Sequence, residues 1–290
     1  MGTPFGGRCL NARIGSSHVP TRGTDMILNG KRIVIMGGSG AIGTAMAKAF
    51  AAEGAKVYLG ARGAHRLAVT AEAVRSAGGT AEVFSVDCLD EGATRRAVDA
   101  LVERIGEIDV AINATSFMHD QGSFIDDLDL DTFMSPVDSF LRSLFNSTKA
   151  VVPHMGKSRQ GVILTLSTPA GRTAPPGHLG YSVTCAGVEA FSRVLAAELG
   201  PRNIRVVCLG PHAISDAPAA GSYTRELFQP KAAAMGLSVD QWLAGGAQTT
   251  FLGRLPTLDD VAETAAFLVS DKARSMTAAY VNLTAGMIPE

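Results

Sequence analysis

Apolar positions along this chain switch repeatedly between two periods. From Arg32, "RIVIM" is a short, nearly continuous apolar run that breaks into the glycines of "GGSG". "AIGTAMAKAFAAEG" follows, helical in composition and stopped at Gly54. "AKVYLG" gives a second strand and "RLAVTAEAVRSAGG" a second helix. "AEVFSV" and "IDVAIN" are strands on either side of the helical "DEGATRRAVDALVERIG", for which Asp90 is a candidate N-cap. A long helical region covers about 128–155, "GVILTLS" is a fifth strand, and "GYSVTCAGVEAFSRVLAAELG" a helix stopped at Gly200-Pro201. "IRVVCLG", the helical "LDDVAETAAFLVS" and "AAYVNL" complete the series, after an irregular stretch near 214–250 with helical pieces. Buried apolar strands alternating with amphipathic helices predict an α/β fold. The expected architecture is a doubly wound, Rossmann-like parallel sheet of about seven strands, covered by helices on both faces in three α/β/α layers.

Nothing divides residues 26–290, which read as one domain. Residues 1–25 lack an apolar stretch of the secretory kind. They read as a disordered extension, or as sequence ahead of a natural beginning at Met26. With 290 residues, 46% of them hydrophobic, the chain can bury a large core. A formal net charge of -1 gives no pull toward nucleic acid, and the broken apolar runs give no membrane span. Cys9, Cys88, Cys185 and Cys208 show no metal-ligand spacing, so no metal is expected, and they suit a reducing cytoplasm.

"VIMGGSGAIG" places Gly37, Gly38, Gly40 and Gly43 between the first strand and the first helix, with Ser39 and Ile42 among them. Residues without a Cβ let backbone N–H groups approach a pyrophosphate at the helix N-terminus. A tight turn could use the same glycines for packing alone, but strand, loop, helix and second strand stand in the order a dinucleotide site requires. The second strand ends "YLGARGAHR". An NAD site usually carries a carboxylate there for the ribose 2′-hydroxyl; this chain has Ala61 and Arg62, with Arg66 a turn later. A guanidinium can pair with a 2′-phosphate, so NADP(H) is favoured over NAD(H) unless both arginines are merely solvated. Asp87 either accepts from the adenine amino group or caps a helix. Asn113 either lines the cofactor site or bonds neighbouring backbone.

On these motifs the chain resembles the short-chain dehydrogenase/reductase family over about 27–287. "MGGSGAIG" matches the family's Thr-Gly-x-x-x-Gly-x-Gly, with Met36 for Thr and Ala41 for the middle Gly; "NATS" keeps Asn113 of Asn-Asn-Ala-Gly; "RLPTLDDVAETAAFLVSD" is similar to its C-terminal helix. The resemblance implies a seven-stranded parallel sheet, nucleotide binding at the strand C-termini, a small-molecule substrate, and a homodimer or homotetramer through the helices containing Phe140 and Phe191. It also implies hydride transfer between nicotinamide and a carbonyl or alcohol. Tyr181 falls at the family's proton-transferring tyrosine and Thr168, in "STPAG", at its serine. Cys185 falls at the lysine that lowers the tyrosine pKa and holds the nicotinamide ribose, and Phe140 at the asparagine of the water relay. Pro211-His212 replaces Pro-Gly after the sixth strand, leaving Pro211 as a cofactor-lining candidate.

The missing lysine matters quantitatively. A cation about 5 Å from the phenol oxygen, at an effective dielectric near 20, stabilises phenolate by roughly 3 kcal/mol, or about two pKa units. Without it Tyr181 is a poor base for alcohol oxidation but keeps its proton for carbonyl reduction. The expected function is therefore an atypical NADP(H)-dependent reductase. The alternatives are a nucleotide- or partner-binding protein without turnover, and non-redox chemistry in which Tyr181 and Thr168 hold an oxyanion. His178 and His212 are either compensating acid/base groups or ordinary loop histidines; Cys185 is a space-filling apolar residue before it is a nucleophile. Tyr223, Phe228, Met235 and Trp242 either line an apolar pocket or form the core of short helices.

Overall fold

The computed structural model describes residues 26–289, so the extension expected at 1–25, Cys9 with it, lies outside the described residues. The strands are β1 (Arg32–Met36), β2 (Lys56–Ala61), β3 (Thr80–Ser85), β4 (Val110–Asn113), β5 (Gly161–Leu166), β6 (Ile204–Pro211) and β7 (Ala279–Leu283). The helices are α1 (Ala41–Ala52), α2 (Ala64–Ser76), α3 (Glu91–Ile105), α4 (Leu130–Val151), α5 (Leu179–Leu199), α6 (Thr224–Ala234), α7 (Val239–Ala247) and α8 (Leu258–Val269). The sheet has seven strands in the order β3-β2-β1-β4-β5-β6-β7, all parallel.

Strand pleating explains why β1 reads as continuously apolar. Ile33 and Ile35 pack into one buried cluster with Met46 and Phe50 of α1, Leu67 and Val74 of α2, and Val261 and Ala265 of α8. Val34 and Met36 point the other way, onto Val98 and Leu101 of α3, Val151 of α4 and Leu199 of α5. Alternate residues thus serve opposite layers, and both are covered.

Local chemistry sets the helix ends. Asp90 accepts from Ala93 N at 2.8 Å, the cap expected from the sequence. Thr257 and Asp260 close a reciprocal capping box on α8. The long central helix is shorter than expected: Asp129 caps it at 2.8 Å to Thr132 N, and a 3-10 turn over Val152–His154 ends it. The irregular stretch resolves into α6 and α7, held by a small cluster of Leu227, Phe228, Val239 and Leu243.

The chain runs outward through β2 and β3 and then returns to place β4 on the other side of β1. That reversal opens a crevice at the strand C-termini, where ligands bind in such sheets.

Candidate active site

The crevice continues into a cavity of about 610 Å³. At the β1 end it is built from backbone. Gly37 has φ +85°, and a Cβ there would lie 2.4 Å from Ala114 O. A Cβ on Gly43 would lie 2.4 Å from Gly37 O, so this glycine lets α1 close on the loop and faces the loop, not the cavity. Gly40 differs: its φ is -79°, and a Cβ would find only Gly37 O, at 3.4 Å. It is the N-cap of α1, and no side chain caps that helix. The first N–H groups of α1 therefore open on the cavity beside Ser39, Gly40 and Ile42, with the positive end of the helix dipole behind them. The residues present fit a pyrophosphate.

Beyond the end of β2, Arg62 is exposed, lines the cavity, and has no hydrogen bond or ion pair among the described residues. Arg66 donates to Gly221 O at 3.3 Å and so ties α2 to the segment before α6. Asp87 also lines the wall; its Oδ1 accepts from Leu89 N at 3.1 Å, and the capping of α3 is left to Asp90. Asn113 is the last residue of β4. It faces the cavity while Nδ2 donates to Ser143 O at 3.2 Å and Ser147 Oγ at 2.8 Å, tying β4 to α4.

At the other end the wall is made of side chains. Thr168 follows β5 and Tyr181 lies in the first turn of α5, with Cys185 one turn on. Thr168 Oγ1 and Cys185 Sγ are 3.3 Å apart, and both side chains stand beside the Tyr181 phenol. Burial, with Cys185 and Tyr223 beside it, pushes the Tyr181 phenol well above its usual range. Burial likewise raises the Cys185 thiol, which is 4% exposed, so the group at the lysine position is neutral. Phe140 packs edge-on to Tyr181, ring centroids 6.0 Å apart, in the space of a polar relay residue. Pro211 and His212 line the same wall; Nδ1 of His212 accepts from Ala213 N at 2.6 Å, and burial lowers its pKa. Tyr223, Phe228 and Trp242 line the cavity and also pack with the α6–α7 cluster; Met235 is 65% exposed and does neither.

Four groups on this side were not singled out together by the sequence. His119 stacks on Tyr181, centroids 4.0 Å apart and planes 15° from parallel. Its Nδ1 lies 2.9 Å from Phe117 O and its Nε2 2.9 Å from Gln121 Nε2. Gln121 Oε1 accepts from Lys231 Nζ at 2.8 Å, and Lys231 Nζ is 2.7 Å from His178 Nε2. Spacing gives no hint of these contacts, which join three separate segments.

A parallel seven-stranded sheet, an uncapped glycine turn under its crevice, and a tyrosine beside a hydroxyl residue at the carboxyl edge define a class of dinucleotide-binding oxidoreductases. The chain belongs to the short-chain dehydrogenase/reductase family. A family model described as enoyl-(acyl carrier protein) reductase matches residues 37–288. The chain is 29% identical to 3-oxoacyl-[acyl-carrier-protein] reductase FabG of Chlamydia pneumoniae, over 91% of this chain and 99% of that protein. It is 31% identical to an uncharacterized oxidoreductase of Methylorubrum extorquens, over 90% and 98%. Among solved structures, NAD+-bound xylitol dehydrogenase is similar with a TM-score of 0.80 at 24% identity, covering 89% of this chain and 99% of that one. An actinorhodin polyketide ketoreductase variant with NADPH gives 0.79 at 24%, covering 89% and 97%. At that identity the two structures speak for the fold alone. No helix among the described residues is long and apolar enough to cross a membrane.

Proposed function

We propose that this chain is an NADP(H)-dependent reductase of a small carbonyl compound, with Tyr181 as proton donor and Thr168 as the hydroxyl that orients the substrate oxygen. The observation that carries the reading is the neutral Thr168–Tyr181–Cys185 cluster on the wall of the cavity that the glycine turn and Arg62 also line. A bound nicotinamide would supply the hydride. The carbonyl oxygen takes its proton from Tyr181 Oη, and the phenolate left behind is reprotonated from water. A phenol with a raised pKa is a poor base and still an available acid, so the reductive direction is favoured. The names of the FabG relatives, 3-oxoacyl-[acyl-carrier-protein] reductases, agree with a ketone substrate. Arg62, free of partners among the described residues and with no acid at position 61, supports NADPH over NADH.

The reading extends to assembly and compartment. Met134 and Phe145 of α4 and Val183 and Val194 of α5 are each 41–60% exposed, which suits a homodimer or homotetramer through these helices. Cys88, Cys185 and Cys208 are free and buried, as suits a reducing cytoplasm.

The test is direct. NADPH should bind with a rise in its fluorescence and be oxidised when 3-oxoacyl thioesters or simple ketones are added. Tyr181→Phe should lose about a hundredfold or more in turnover, the usual size of a general-acid contribution, with NADPH affinity unchanged. Binding without turnover across a broad carbonyl panel would favour a nucleotide-binding protein instead, a reading to which the buried thiol at position 185 lends support. Conversion of substrate without NADPH oxidation would point to lyase or isomerase chemistry.

A further inference from the structure

The hydrogen bonds around His119 have one consistent direction. Protonated, Lys231 Nζ can only donate, so the atoms it meets, Gln121 Oε1 at 2.8 Å and His178 Nε2 at 2.7 Å, are then acceptors. His178 then carries its proton on Nδ1, 2.9 Å from Pro176 O. With its oxygen turned to Lys231, Gln121 presents its NH2 to His119 Nε2, which must accept. His119 therefore holds its proton on Nδ1 and donates to Phe117 O. Both ring nitrogens are committed, and the ring is neutral and fixed in plane. That ring is the plate stacked on Tyr181 at 4.0 Å, with Phe140 edge-on to both. It is 7% exposed and keeps water off one face of the phenol.

We infer that Lys231 is a positioning residue: acting through Gln121, it locks His119 as a neutral cover over Tyr181 and so keeps the phenol in its proton-donating form. The inference deepens the reductase reading and rests on it for its kinetic consequence. A cation serves this site from the far wall, where it fixes a neighbour, and not from position 185, where it would ionise the tyrosine. The surroundings of Lys231 suit the role. It has no ion pair among the described residues. Asp120, on the same loop as Gln121, accepts from Ser123 N and Oγ and acts on Lys231 only at longer range. On α6 itself Arg225 pairs with Asp240 of α7, and Glu226 is exposed. Burial lowers Lys231 to about 8. Burial also lowers His119, and the charge of Lys231 acts in the same direction.

The first measurement needs neither cofactor nor turnover. In the apoprotein, imidazole nitrogen NMR should show His119 as the Nδ1–H tautomer, still mainly neutral at pH 6.5, where a free histidine is half protonated. Lys231→Met should mix the tautomers and raise the protonated fraction; Gln121→Met breaks the same chain one bond nearer and serves if the first variant folds poorly. An unchanged His119 signal in both variants overturns the inference, whether or not the protein proves to be a reductase. The second measurement is kinetic. Turnover should fall above about pH 8 as Lys231 loses its charge. Lys231→Met should cut kcat about tenfold and abolish that limb, with NADPH affinity within about twofold, as expected of a group that orients another. Lys231→Arg should restore kcat and move the limb to higher pH. The same limb in Lys231→Met, or equal loss in the arginine variant, counts against a charge-dependent positioning role.

Discussion

Gly37 and Cys185 lie at opposite ends of one crevice, and each sits where the resemblance to the family is tested. At Gly37 the family pattern is kept, because no other residue satisfies the geometry: the backbone is left-handed and Ala114 O occupies the place of a Cβ. At Cys185 the pattern is lost, and the thiol that stands there is 4% exposed, on the cavity wall and in contact with Thr168. A turn that must place backbone N–H groups constrains the chain covalently. A charge that tunes a pKa constrains it only through chemistry, and chemistry can be relocated. The glycine end of the crevice is thus read from residue type, and the tyrosine end from how side chains meet.

The sharpest way to break this contrast is at the turn. Gly37→Ala should destabilise the fold by more than about 3 kcal/mol, combining backbone strain with a clash against main-chain atoms. Chemical denaturation would measure it. Gly40→Ala is the matched control. Its backbone angles suit any residue and the new Cβ meets no close neighbour, so the midpoint should hardly move while NADPH binding weakens. Equal destabilisation by both would mean that the turn is built only for packing, and that the open N-terminus of α1 has no ligand to receive.

A smaller effect is expected at Cys185→Lys. A cation about 5 Å from the phenol oxygen should lower the Tyr181 pKa by about two units, through favouring the phenolate. The phenol absorbance of the apoprotein, titrated with alkali, would show it. Alcohol oxidation should rise with the same change, because the tyrosine becomes a better base, while reduction gains less. A tyrosine titration that stays where it was would show that position 185 no longer addresses the phenol, and that the two ends of the crevice are less different than they look.

The layers, the parallel sheet of about seven strands and the glycine turn were legible in the sequence because each rests on local rules. The alternating burial of Val34 and Ile35 follows from pleating, and the capping of α3 from a carboxylate at Asp90. Tyr181, Thr168 and Phe140 were picked out through the resemblance to the family, not by a local rule. His119, Gln121 and Lys231 were not legible as a group. His119 and Gln121 lie in the loop between β4 and α4, where no periodicity fixes a direction. Lys231 reaches Gln121 across 110 positions of chain. Their meeting depends on where α6 docks, and the sequence showed only that 214–250 would contain helical pieces. His178 illustrates the same limit: its candidacy as an acid/base group was readable, but not that its Nε2 would be occupied by a lysine.

The smallest effect concerns the cofactor itself. Arg62 is exposed, so a bond to a 2′-phosphate would form in high dielectric and be screened by salt. Arg62→Gln should therefore weaken NADPH binding only about tenfold, near the lower end for a charge-assisted hydrogen bond, and leave NADH binding unchanged because NADH has no 2′-phosphate. Arg66 is not an equal substitute, since its guanidinium is engaged with Gly221 O at 3.3 Å. Raising ionic strength should narrow the NADPH–NADH gap in the native protein and have little influence on that gap in the variant. If Arg62→Gln weakens both cofactors alike, the arginine supports the adenosine pocket as a whole, and the preference must come from elsewhere on the wall; Asp87, the one carboxylate there among the described residues, would then oppose a 2′-phosphate rather than stand aside from it.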